Sequence, residues 1–120
     1  MNTKIKGRTG EDLACAYLKK KKYEIIERNF TTNVGEIDII AADDGYLVFV
    51  EVKARRSTEH GAPSEAVNYY KQRKISQVAS QFLSKYSKLN SEVRFDVIEV
   101  YMDTKTINHI ENAFDSYLRY

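Results

Sequence analysis

The stretch from Val34 to Arg56 constrains the fold more than any other, because two apolar, β-branched segments there flank the pair Asp44-Gly45. Asp-Gly between such segments marks a tight β-hairpin, since both turn residues accept the positive φ that a two-residue loop demands. The turn also sets the register. Asp43 lies opposite Tyr46, so Asp38 falls opposite Glu51 and Glu36 opposite Lys53, with all four charged side chains on one face. Like charges directly across an antiparallel pair destabilise it, and apolar surroundings raise the cost of each ionised group. A divalent cation would relieve that repulsion, and Mg²⁺ is commonly held by one or two carboxylates together with waters and phosphate oxygens. Lys53 adds a compact positive charge suited to a phosphate or to orienting a water.

Upstream, residues 1–8 read as a loose basic arm. Leu13, Ala14, Tyr17 and Leu18 follow a helical period and predict a first helix over about 9–22, capped by Thr9 with Asp12 three residues on. Glu11 starts on the core-facing stripe of that helix, and it also reads as a first-turn acid favoured by the helix dipole. Lys19 to Lys22 close the helix, either as cations complementing the dipole or as a phosphate-attracting patch.

Residues 23–30 predict a strand, and the hairpin strands run over about 35–42 and 46–54, the latter buried on both faces. Arg55 to Pro63 break the periodicity and read as a loop beside the facing acids. Ser64 is a candidate cap for a second helix over about 64–86, where Val67, Tyr70, Ile75, Val78, Ala79, Phe82, Leu83 and Tyr86 keep the 3.6 period. In the strand predicted over 92–101 the apolar pattern shifts phase after Val97, which points to a bulge or to burial on both faces. A weaker strand follows at 106–111, and Ala113 to Tyr120 form a closing helix or an association surface. The predicted architecture is α/β, a mixed sheet flanked by helices in the order α-β-β-β-α-β with one further strand, in a single domain over 1–120.

Cys15 is the only cysteine, which excludes an internal disulfide or a Cys-rich zinc site, and it reads as core packing. His60 and His109 give no zinc-ligand spacing. No apolar run approaches the roughly 18 residues that cross a bilayer. The chain starts without the apolar region of a secretory signal, so the expectation is a cytoplasmic protein with no membrane partner. The formal net charge of +2 says little about nucleic acid, but basic residues cluster at Lys53, Arg55 and Arg56 and again at Lys71, Arg73 and Lys74. Arg55, Arg56, Lys71, Gln72 and Lys74 are therefore candidate nucleic-acid contacts. For the residues of the second helix the plain alternative is a solvated face.

Gly10-Glu11 with Ala14, Gly35-Glu36-Ile37-Asp38-Ile39-Ile40, Val48-Phe49-Val50-Glu51-Val52-Lys53-Ala54-Arg55-Arg56, Ala66-Val67, Lys71-Gln72-Arg73 and Arg94-Phe95-Asp96-Val97 together resemble the YraN family of predicted endonucleases. That family lies in the PD-(D/E)XK nuclease superfamily and is similar to archaeal Holliday junction resolvases. The likeness covers about residues 7–114, and Ile37 stands where the superfamily has its proline. It implies a restriction-endonuclease-like fold and a metal-dependent nuclease acting on DNA, including branched DNA. It implies that Asp38 and Glu51 hold Mg²⁺ or Mn²⁺ with the Val52 carbonyl, that Glu11 joins them, and that Lys53 positions or activates water. Glu36 becomes a support for Lys53. The alternative from another class is a non-catalytic nucleic-acid-binding module of the same fold that acts with a protein partner. Cutting two strands would favour a homodimer.

Overall fold

The computed structural model describes residues 3–57 and 67–115, with the side chains of 9–57 and 67–115. His60, Pro63 and Ser64, and the tail beyond Asp115, lie outside them. The chain runs α1 (Thr3–Lys20), β1 (Glu24–Thr31), β2 (Glu36–Asp43), β3 (Tyr46–Arg55), α2 (Tyr69–Lys85), β4 (Glu92–Tyr101) and β5 (Thr106–Ile110). The strands form one sheet in the order β1-β2-β3-β4-β5, and all neighbours are antiparallel except β3 and β4. This is the predicted α/β mixed sheet, with the weaker fifth strand present.

The hairpin turn is as the sequence requires: Asp44 has φ 48° and Gly45 φ 86°. Asp43 pairs with Tyr46, and the register continues to Ile39 opposite Val50. The two described helices cover opposite faces. Alternation on β3 sends Phe49 toward α2 residues Ile75, Val78, Ala79, Phe82 and Leu83, and Val48 and Val50 toward α1 residues Ala14, Cys15 and Leu18. Phe82 centres the α2 side, edge-on to both Phe30 and Phe49. Truncating so large a buried ring to alanine typically costs about 3–5 kcal/mol.

The phase shift in β4 has a simple cause. Phe95 and Val97 face α2 while Ile98 and Val100 face α1, and the parallel register from Tyr46↔Glu92 to Arg55↔Tyr101 is unbroken. The strand is buried on both faces and carries no bulge.

Two expectations need correction. The first helix begins at Thr3, so the loose arm is helical from Thr3 and Thr9 lies inside the helix. Only Gly7 interrupts helix propensity there, and each residue added to an existing helix gains a backbone hydrogen bond. Lys22, at φ 74°, then ends the helix, with the Tyr23 N–H donating to the Leu18 carbonyl at 3.0 Å. At α2 the cap is Asn68, whose side chain accepts the Lys71 N–H at 2.9 Å, so the helix starts at Tyr69 and not at Ser64. Of the tail, open between a closing helix and an association surface, only residues 113–115 are described, and they follow β5 outside any helix or strand. The Ala113 N–H donates to the Phe95 carbonyl at 2.7 Å and the Phe114 ring stacks on Phe95, which closes that end of the α2-side core.

Candidate functional site

The regular pattern of β2 fails at one residue. Ile39 and Ala41 face α1 and Ile40 faces α2, yet Ile37 also faces α2, so strict alternation breaks at Asp38. Opposite Asp38 in the β1–β2 register stands Asn29, held at φ 55°. An asparagine tolerates this left-handed conformation better than other non-glycine residues. On the other side the β2–β3 ladder stops at Ile39↔Val50, and the Asp38 carboxylate takes over: Oδ2 accepts the Val52 N–H at 2.8 Å. A side chain thus replaces a strand carbonyl, and β2 parts from β3 at the position where the sequence expected four charges to share a face.

They do not share one. Glu51 lies on the α2 side, where the Lys71 ammonium reaches its Oε1 at 2.6 Å. Glu11 arrives from α1 on the other side. Gly10 lays the helix against β3, so that a Cβ there would meet the Ala54 Cβ at 3.5 Å and Val52 Cγ1 at 4.0 Å. Glu11, Glu36 and Asp38 each offer a carboxylate oxygen, and these oxygens all lie within 4.8 Å of one another. Glu36 is therefore a full member of the acidic cluster and not a partner of Lys53 alone. Because α1 starts at Thr3, Glu11 lies well past the first turn, and the helix dipole does not account for it.

The electrostatics are strained in one direction. Burial pushes the Asp38 carboxyl up to about 8, with the Glu51 charge adding to it, and Glu11 and Glu36 contributing further. The Val52 N–H opposes the shift. Burial also raises Glu51, against the Lys71 and Lys53 cations, and raises Glu11 against Arg28 and the Asn29 side chain. Among the described residues, these carboxylates meet at a sheet fork with too little positive charge to balance them.

Other expected residues divide. Lys53 is exposed on the strand end, on the same side of β3 as Glu51. Val52 contributes its N–H to Asp38, while the sequence reading assigned its carbonyl to a metal. Arg56 is exposed, Lys74 lies over the Tyr70 ring, and the Gln72 amide donates to the Val67 carbonyl at 2.9 Å. Arg55 is corrected. Only 8 % exposed, it places Nε 2.6 Å from Glu99 Oε2, so its charge is matched inside the fold and is not offered to a phosphate.

Sequence reading missed Arg28, whose guanidinium binds Asp12 at 2.7 Å and stands 4.0 Å from Glu11. It also missed a buried network on the α1 side. Asp96, fully buried, is held by Arg94 at 2.9 and 3.0 Å, by His109 at 2.7 Å and by the Asn112 N–H at 3.0 Å. The alternating Arg94-Phe95-Asp96 was the only available signal, since residues two apart on a strand share a face.

Comparison with known proteins agrees with the likeness read from the motifs at the level of the family. The model of the uncharacterised protein family UPF0102 matches residues 10–100. A UPF0102 protein of Alkaliphilus oremlandii is 52% identical over 118 residues, covering 95% of this chain and all of that one. Those of Caldicellulosiruptor saccharolyticus and Clostridioides difficile are each 48% identical, over 118 and 114 residues, with 95% of this chain and 100% of theirs covered. With its hairpin and the three acids of the fork all inside the matched span, the chain belongs to the UPF0102 (YraN) family.

Proposed function

We propose that the chain is a metal-dependent nuclease that hydrolyses phosphodiester bonds of DNA, with branched, Holliday-junction-like DNA as its substrate. The observation that carries this reading is the convergence of Glu11, Glu36 and Asp38 at the fork between β2 and β3. An all-oxygen donor set suits Mg²⁺ or Mn²⁺. Two properties of the donors favour a cation there. Glu11 Oε1 is buried and has no hydrogen-bond partner among the described residues. Asp38 is pushed up to about 8, a penalty that a positive ion would remove.

Glu11, Glu36 and Asp38 would hold the ion, and Glu51 would join them on leaving Lys71. When bound, the cation neutralises charge on the phosphate and acts as a Lewis acid. Lys53, on the strand end beside Glu51, orients the attacking water or steadies the phosphate as a point charge. Lys71 balances Glu51 until substrate arrives, and with Arg56 and Lys74 it attracts the phosphate backbone. Cutting paired strands of a junction would place two copies about a two-fold axis. Such a role suits a cytoplasmic protein, and among the described residues no helix is long and apolar enough to cross a membrane.

One observation favours the runner-up, a non-catalytic DNA-binding module that works with a protein partner: the Lys71–Glu51 pair already neutralises one acid from within. Incubation with linear, nicked, flap and four-way DNA in Mg²⁺, Mn²⁺ or EDTA separates the two. The nuclease reading expects cleavage that disappears in EDTA and in Asp38→Asn, Glu51→Gln and Lys53→Met. Cleavage that survives EDTA rejects the metal assignment, and branched DNA bound with a steep salt dependence but never cut selects the binding module.

A further inference from the structure

α2 opens in an unusual way. The first turn contains no acid, although acids are the residues a helix N-terminus favours, and Tyr69-Tyr70-Lys71-Gln72-Arg73-Lys74 instead gathers three cations at the positive end of the dipole. Two tyrosines lead this segment at 59% and 69% exposure, well above the 40–45% of the other exposed large apolar residues described. The spacing is regular. Arg73 lies over the Tyr69 ring at 5.9 Å, and Lys74 over the Tyr70 ring at 5.4 Å, so two parallel i, i+4 rungs of aromatic ring and cation stand side by side. Tyr70, Arg73, Lys74 and Gln77 also line a shallow depression of about 140 Å³. The next residue, Lys71, turns the other way and pairs with Glu51 at 2.6 Å, so one residue of α2 links this surface to the end of β3.

We infer that Tyr69, Tyr70, Arg73 and Lys74 form a stacking platform for unpaired nucleobases, and that the nucleic acid engaged here presents single-stranded or splayed nucleotides beside the acidic cluster. The chemistry commits to this occupant. A paired duplex offers its phosphates to cations but keeps its base faces stacked inside, and has no use for two exposed rings. An unpaired base has a free π-face for a tyrosine and a neighbouring phosphate for the cation beside it, and such stacking tolerates any sequence. An apolar protein partner would be opposed by the three cations, and an acidic one would leave the rings without a stacking partner. The inference takes nucleic acid as the polymer from the nuclease reading, and adds to it which part of a branch is gripped.

The test is fluorescence anisotropy in EDTA, where binding is read without cleavage, on a single strand, a splayed-arm duplex and a blunt duplex of equal charge. The double variant Tyr69→Ala/Tyr70→Ala should lose about tenfold or more in affinity for the first two, while blunt-duplex binding stays within about twofold. Tyr69→Phe/Tyr70→Phe should retain wild-type affinity, because the ring and not the hydroxyl is used. Arg73→Gln and Lys74→Gln should each lower the single-strand salt slope by about 0.7. Unchanged thermal midpoints establish that the variants fold. Equal loss on all three substrates, no loss on any, or a change in self-association with DNA binding intact would each overturn the platform. A chain that grips splayed DNA as described yet cuts nothing in Mg²⁺ or Mn²⁺ overturns the nuclease reading and leaves the platform standing.

Discussion

The Asp38 carboxylate accepts the Val52 N–H at 2.8 Å, in the place where the next carbonyl of a β2–β3 ladder would stand. One side chain therefore both ends the pairing of the hairpin and sits at the centre of the acidic fork. The two roles conflict, because the hydrogen bond favours the ionised carboxylate while burial and the neighbouring acids disfavour it.

That conflict predicts a pH dependence with a definite sign. A carboxyl held at about 8 in the fold, against 3.8 when free, keeps its proton in the folded state where the unfolded chain has lost it. Its contribution is intact below about pH 4 and is lost as pH rises toward 8. In EDTA the wild type should lose on the order of a few kcal/mol between these limits through this group. Asp38→Asn, which keeps an oxygen for the Val52 N–H, should flatten the curve and be the more stable protein at pH 8. Urea midpoints at pH 5 and pH 8 decide it. A variant less stable than wild type at pH 8 contradicts the strain assigned to Asp38.

Cation uptake should show the same proton from the other side. If Asp38 binds Mn²⁺ as a carboxylate, binding at pH 7 releases close to one proton, and affinity rises with pH up to about 8. Calorimetric titration in two buffers of different ionisation enthalpy measures the release. Heats that do not depend on the buffer would remove Asp38 from the ion's ligands.

Lys71 gives a second handle. Its 2.6 Å ion pair opposes the upward shift that burial gives Glu51, so Lys71→Gln leaves a mostly buried carboxylate short of its partner. The variant should be destabilised by about 1–3 kcal/mol at pH 8, and by less as pH falls and Glu51 takes up a proton. If Glu51 is shared between Lys71 and a cation, the same variant should bind Mn²⁺ more tightly. Weaker binding would show that Lys71 supports the metal site and does not compete with it.

How far the sequence reached is clear from particular residues. Asp44-Gly45 specified the turn, and through it the register, because only a few residue types accept positive φ at both positions. Register could not reveal the break at Asp38, where Asn29 on the neighbouring strand adopts φ 55°. For the same reason Glu36 was undervalued: a strict two-residue alternation pairs it with Lys53, and the broken one turns it to Glu11. Arg55 was misread because a basic residue beside Lys53 and Arg56 looks like its neighbours. Its burial is set by Glu99, which only the parallel β3–β4 pairing brings to it.

Arg55 and Glu99 should therefore behave as a structural ion pair. Arg55→Ala leaves Glu99 buried with the Asn108 amide at 2.9 Å and a Tyr101 hydroxyl at 3.5 Å, and without its cation. Breaking one side of a buried pair typically costs about 3–5 kcal/mol, whereas replacing both partners by apolar groups is often neutral. Arg55→Met/Glu99→Leu should accordingly recover most of the stability that Arg55→Ala loses. The DNA salt slope should match wild type in the folded double variant, since no phosphate contact has been removed. A slope lowered by about 0.9 on duplex DNA would return Arg55 to the nucleic-acid surface. The paired denaturation and binding measurements separate a structural ion pair from a phosphate contact, because only the first is recovered by removing its partner.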